Sequence, residues 1–155
     1  MVLESPRCES ATGYRLRAVD LEARPTAVVR LDAASVGTGA GLARTLRHLD
    51  DELRRQRVSA IGPSFVRHLD TAEDVQVEVG YLVGEPIEDG AEVVASGLPG
   101  GPAIMAVGVR PEEVDDAVRM LGEWLSTRGF RPAGAGWRRV QELPLVDIVL
   151  PYRWR

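Results

Sequence analysis

Leu46-Arg-His-Leu-Asp-Asp-Glu-Leu53 and Val118-Arg-Met-Leu-Gly-Glu-Trp-Leu125 are two stretches of one chain that superimpose under a single shift in numbering. Both carry large apolar residues at helical spacing. Leu42, Leu46, Leu49 and Leu53 recur in the first, and Val114, Val118, Leu121 and Leu125 in the second. The first pattern predicts an amphipathic helix of about 15 residues with charged side chains on its other faces, and the second predicts the apolar stripe of another helix. The same shift carries Gly62 to Gly134, Phe65 to Trp137, Arg67 to Arg139 and Tyr81 to Arg153. The opening strands need a longer shift, from Pro25 to Pro102, so the first half has extra residues in its Gly-rich loop. Helix, turn and strand agree together, and the repeat implies two β-α-β-β units.

The flanking segments supply the strands. Tyr14 to Val19 alternates Tyr14, Leu16 and Ala18 with Arg15 and Arg17, and Pro25 to Leu31 is a β-branched run opened by proline. Two strands follow the first helix, at Ala60 to Leu69 and Val75 to Val83. In the latter, Val75, Val77 and Val79 alternate with Gln76, Glu78 and Gly80. The second half predicts strands at Glu92–Ser96, Ala103–Val109, Gly136–Glu142 and Val146–Pro151. Pro111-Glu112-Glu113 opens its helix, and Gly129 stands where a C′ glycine belongs. Residues 1–13 lack either periodicity and read as a flexible arm, leaving 14–155 as one domain with repeat units at about 25–97 and 98–155. Units this small cannot cover both faces of a sheet. An α+β architecture therefore follows, with the two units forming one antiparallel sheet, both helices on one face and a ligand groove on the other.

Composition narrows the function classes. The 155 residues are 45% hydrophobic and 27% charged, with a mean hydropathy of −0.09, as expected of one globular core. The single Cys8 excludes an intramolecular disulfide and a cysteine-based zinc site. No apolar run reaches the roughly 18 residues of a membrane span, and the start does not resemble a signal peptide, so a cytoplasmic protein is expected. All 19 basic residues are arginine, with no lysine anywhere, a usage that fits either GC-rich coding or recognition of carboxylate and phosphate by the guanidinium fork. Against 23 acidic residues the net charge is −4, which argues against nucleic-acid binding.

Several blocks resemble the GyrI-like small-molecule-binding family, found as the effector-binding domain of MerR-type and AraC-type multidrug regulators. They are Ile61-Gly62-Pro63, Val77-Glu78-Val79-Gly80-Tyr81-Leu82-Val83 with Pro86 nearby, Leu98-Pro99-Gly100-Gly101-Pro102-Ala103 and Val107-Gly108. Leu121-Gly122-Glu123-Trp124-Leu125 and Trp137 through Pro144 complete the set, ahead of the terminal Ile148–Pro151 strand. Their order and spacing carry the resemblance, over about residues 14 to 155. The family keeps a Trp-Glu-x-Tyr segment whose acid pairs with cationic drugs, or serves catalysis in members that hydrolyse strained rings. Here Trp137 and Pro144 match, but Arg138 replaces the acid and Val140 the tyrosine. Neither role transfers to Arg138: a fixed guanidinium repels cations and favours a carboxylate, phosphate or sulfate, or it pairs with Glu78 or Glu142 and leaves a neutral groove.

Glu78 matches an acid in the family's Val-Glu-x-Gly block and stands alone in an apolar strand. Two readings are open: an ion pair across the sheet with an arginine such as Arg138 or Arg67, or a carboxylate that meets ligand and, with a raised pKa, acts as a base. Phe65 and Trp137, at equivalent repeat positions, are either core anchors or groove walls; in the former case His68, Val66, Arg138 and Val140 line the groove, because period 2 defines the sets without their direction. Tyr81, Tyr152 and Trp154 offer flat amphipathic surface. Gly37-Thr-Gly-Ala-Gly41 lacks the lysine and spacing of a phosphate loop. The expected function is a stand-alone binding domain for a small hydrophobic or aromatic molecule, without cofactor or metal and as monomer or homodimer, since no helix-turn-helix fits within residues 1–24. The alternatives are a hydrolase of electrophilic small molecules, with Glu78 catalytic, and a protein-inhibitor module.

Overall fold

The computed structural model describes residues 15–32, 39–70, 75–142 and 144–155. The arm at 1–13, Tyr14, and Val36 to Thr38 of the Gly-rich loop lie outside the described residues. Among those described, nine strands and two α-helices make an α+β fold in which every strand pairing is antiparallel. The chain divides into two compact units, one of Ala23–Leu98 and the other of Pro99–Arg155 together with the first strand.

The first unit holds β2 (Arg24–Asp32), α1 (Gly39–Gln56), β3 (Ala60–Asp70), β4 (Val75–Val83) and β5 (Val93–Leu98), in the sheet order β3-β4-β2-β5. Leu49 and Leu53 of α1 are buried against Ala27 and Val29 of β2, Val66 of β3, and Val77, Val79 and Val83 of β4. Leu42 and Leu46 pack at the margin of that cluster. The opposite side of the same strands is also closed. Val28, Phe65 and Glu78 are buried, which explains why β2 reads as an uninterrupted apolar run rather than an alternating one. At its end α1 turns through Arg57 in the left-handed region (φ 58°), and Val58 N–H reaches back to Leu53 O at 3.0 Å.

The second unit holds β1 (Arg15–Leu21), β6 (Gly101–Val109), a 3-10 turn (Pro111–Glu113), α2 (Val114–Thr127), β7 (Phe130–Pro132), β8 (Trp137–Glu142) and β9 (Leu145–Trp154). Its order is β1-β6-β9-β8, with β7 on the end of β9. Ala117, Leu121 and Leu125 of α2 are buried with Leu16, Ile104, Ala106, Val109 and Ile148. The apolar stripe thus differs from the expected one at a single place. Val118 is 46% exposed, because Ala117 is the residue one turn before Leu121 on the buried line. Pro111-Glu-Glu113 forms the 3-10 turn ahead of the helix instead of its first turn. Gly129 closes α2 with φ 78°, its N–H bonded to Ser126 O.

One glycine has a role that its strand cannot share with another residue. Gly80 stands opposite Val28 on β2 and Phe65 on β3. A Cβ there would fall 2.2 Å from the Ala27 carbonyl oxygen and 2.7 Å from Val28 Cγ1. Backbone cannot yield that far without spreading β2 from β4. Gly80→Ala is expected to destabilise the chain by about 1–3 kcal/mol, the usual range for overpacking. Thermal unfolding followed by circular dichroism should show Tm lower by roughly 3–10 °C. An unchanged Tm would contradict the close approach.

Candidate functional site

Strand register sorts the residues singled out in the sequence onto two sides. On β3 and β4, Arg67 pairs with Glu78, Val66 with Val79 and His68 with Val77. Val77 and Val79 belong to the cluster beneath α1, so His68, Val66 and Tyr81 face the helix while Phe65, Arg67 and Glu78 face away. On β8 and β9, Arg138 pairs with Ile148 and Val140 with Val146, both of the cluster beneath α2. Trp137 pairs with Val149 on the other side. Tyr152 continues the Ile148–Leu150 row on the α2 side. Both sides hold buried and accessible residues: on the helix sides Val66 is buried, and on the far side Arg67 is half-buried and Arg30 partly exposed. His68 is exposed, and Tyr81, Arg138, Val140 and Tyr152 are half-buried, whereas Phe65, Glu78 and Trp137 are sealed.

Glu78 is 2% exposed and is fully engaged within its unit. Arg30 Nε donates to its Oε2 at 3.3 Å, Ser96 Oγ donates to the same oxygen at 3.1 Å, and Arg67 Nη1 stands 4.0 Å from Oε1. Arg67 Nη1 also reaches the Gly97 carbonyl at 3.4 Å. The carboxylate therefore joins β2, β3, β4 and β5 through side chains alone. Arg30 and Ser96 were not foreseen as its partners; each lies beside Glu78 only after β2 and β5 find their register.

The second unit repeats this arrangement. Asp147, 5% exposed, pairs with Arg139, whose Nη2 donates to Oδ2 at 3.2 Å. Its Oδ1 accepts the Gly108 N–H at 3.1 Å. Gly108 adopts φ 71° at an irregularity in the β6–β9 pairing, so the aspartate satisfies a donor that the ladder leaves over. Arg67 and Arg139 are equivalent by the sequence repeat, and structure makes Glu78 and Asp147 equivalent too. The repeat in sequence aligned Tyr81 with Arg153, and this differs because the hairpin arm from Arg139 to Asp147 is shorter than that from Arg67 to Glu78. Asp147 was missed in the sequence. Its signal is the one that marked Glu78, a lone acid within an apolar run, Val146-Asp-Ile-Val149.

Two tyrosines on the helix sides have perturbed phenols. Burial, with the negative charge of Asp50 of α1 nearby, pushes the Tyr81 hydroxyl above its ordinary range. Burial, with Asp20 nearby, does the same for Tyr152. Both therefore stay neutral donors at physiological pH. Tyr152 sits in an aromatic cluster with Phe130 at 4.6 Å and Trp124 at 6.1 Å between ring centres, and Trp154 continues it at 4.3 Å from Phe130. Among the described residues, no three His, Cys, Asp or Glu side chains are grouped to hold a metal, and no helix is long and apolar enough to cross a membrane.

The chain has a GyrI-like α+β fold, shared with solved structures of low sequence identity. It is similar to the crystal structure of the EcmrR C-terminal domain, with a TM-score of 0.73 and 11% identity over 92% of this chain and 99% of that one. It spans 58% of the EcmrR chain in a complex with DNA. A hydrolase from Listeria innocua is similar over 89% of this chain and 91% of its own, with a TM-score of 0.63 and 10% identity. SAV2435, solved with tetraphenylphosphonium bound, is similar over 90% of this chain and 93% of its own, with a TM-score of 0.53 and 11% identity. No family model matches the chain, and no curated relative does.

Glu78→Gln keeps the shape and removes the anion that Arg30 and Arg67 share. Removing one partner of a buried pair costs about 3–5 kcal/mol, and the half exposure of Arg30 reduces this to roughly 2–3 kcal/mol. Chemical denaturation should show that loss, and Ser96→Ala, which removes one neutral hydrogen bond, should cost only about 1 kcal/mol. Equal effects of the two would contradict an ionic role for Glu78.

Proposed function

We propose that this chain is a cytoplasmic binding module for a small amphipathic or aromatic organic molecule, contacted from the helix-packed sides of the strands. The observation that carries this reading is the register just described. It puts Tyr81 and His68 in the first unit, and Arg138, Val140 and Tyr152 in the second, on the helix-packed sides, and each of these five is exposed or half-buried. Phenol, imidazole and guanidinium on an apolar ground are the mixture that orients such ligands. The fold is that of a regulator's C-terminal domain and of a protein that holds tetraphenylphosphonium, which supports the same class. Glu78, Phe65 and Trp137 act from behind: they hold the strands that present the contacting groups.

Arg138 sets the ligand's charge. Where relatives with an acid favour cations, a guanidinium at this position favours anions. Tetraphenylborate and tetraphenylphosphonium have the same shape and opposite charge, and isothermal titration with each separates charge from hydrophobicity. The borate is expected to bind at least tenfold more tightly, and Arg138→Glu is expected to reverse the order. Failure of both ions to bind would remove the reading. The hydrolase among the structural neighbours favours a second reading, in which an electrophilic ligand is turned over. Mass analysis of a strained-ring ligand after prolonged incubation separates the two, since binding alone returns it intact.

A further inference from the structure

The first unit contains a cleft of about 600 Å³ between α1 and the edge of β2. Its walls include none of the residues proposed above to contact ligand. Val29 and Leu31 of β2 and Val94 of β5 supply apolar surface, and Arg44 and His48 of α1, with Glu92, supply a polar rim. The cleft exists because β5 pairs with β2 only as far as Val29, opposite Val93, while β2 continues to Asp32. Among the described residues, the last three residues of β2 have β4 on one side and no strand on the other.

The charges around the cleft decide what it can hold. Arg30, at the strand edge, is committed to Glu78 through Nε at 3.3 Å. His48 Nε2 meets Glu92 Oε2 at 2.8 Å across the mouth, which ties α1 to the segment before β5. Arg44 lines the cleft with no ion-pair or hydrogen-bond partner among the described residues. An apolar floor with one uncommitted guanidinium at its rim matches an organic monoanion, whose carboxylate can take two parallel N–H donors while its body covers the valines and leucine. A volume in the usual range for small-molecule sites admits a ring system of two or three rings.

We infer that this cleft is a second ligand site, distinct from the helix-side residues proposed above, and that it takes aromatic or acyl carboxylates through Arg44. The inference does not depend on Arg138, so the two proposals fail separately.

The test is an amide-resolved NMR titration of the full chain with 1-naphthoate. Saturable shifts are expected at Leu31, Arg44, His48 and Val94. Arg44→Glu should weaken binding at least tenfold, while Arg47→Glu, an exposed charge reversal on the same helix outside the cleft, should change it less than twofold. Arg138→Glu should leave the titration as it is. 1-Naphthylmethylamine, with a comparable aromatic body and the opposite charge, should not shift these residues. Absence of the shifts, equal losses in the two helix variants, or equal binding of the amine would each overturn the site.

Discussion

A carboxylate in a dry place has lost several kcal/mol of hydration, and a fold that buries one must return that energy in fixed geometry. Glu78 imposes this demand on the first unit and Asp147 on the second. Each is met by an arginine from the neighbouring strand, Arg67 or Arg139, and by further donors that only correct pairing supplies. For Glu78 the further donors are Arg30 and Ser96, on strands distant in sequence. For Asp147 the donor is the Gly108 amide, freed by an irregular step in the ladder. Slipping β4 by one residue would turn Glu78 toward the leucines of α1 and away from both arginines. The acid thus penalises wrong registers more than it rewards the right one.

Register then determines which side chains are available for chemistry. With Glu78, Phe65 and Trp137 committed to the sealed sides, the intervening residues face the helices by the alternation of the pleat. Their exposure differs. His68 is exposed, while Tyr81 is partly covered, with Asp50 nearby. Sequence identity near a tenth with the structural neighbours is compatible with this scheme, because an alternating pattern and a few buried charges specify the architecture while leaving the remaining positions free to change.

The larger elements were legible because their periodicities are long. Leu49 and Leu53, matched by Leu121 and Leu125, identify both helices, and Phe65 with Trp137 locates the equivalent strands. What was illegible depends on distance or brevity. β7 has three residues, too few for any period to register. The pairing of β1 with β6 joins residues far apart in the chain, and nothing local announces it. Arg30 and Ser96 could not be assigned to Glu78 before the order β4-β2-β5 was known. Asp147 was readable in principle, but a uniform shift through the whole repeat misplaced β9 and hid its equivalence with Glu78. The left-handed Arg57 at the end of α1 carries no sequence mark, since glycine usually occupies such a site. The direction of each alternating set needed the helices in place, so Val66 and His68 could be paired together but not aimed.

The order of the strands along the chain bears on how the protein folds. Leu21 pairs with Gly101, and the chain between them includes the whole of the first unit. Closing that gap in an unfolded chain means closing a loop of about 80 residues, which costs about 2–3 kcal/mol more entropy than a tight turn. Strand pairing inside the first unit offsets this cost. Its first and last strands, β2 and β5, lie side by side, with Arg24 opposite Leu98. Once that pairing forms, Leu21 and Gly101 are each only three residues from a neighbouring anchor, and β1 meets β6 as the arms of a hairpin would. The inserted half acts as a clasp that brings the two ends of the interrupted half together.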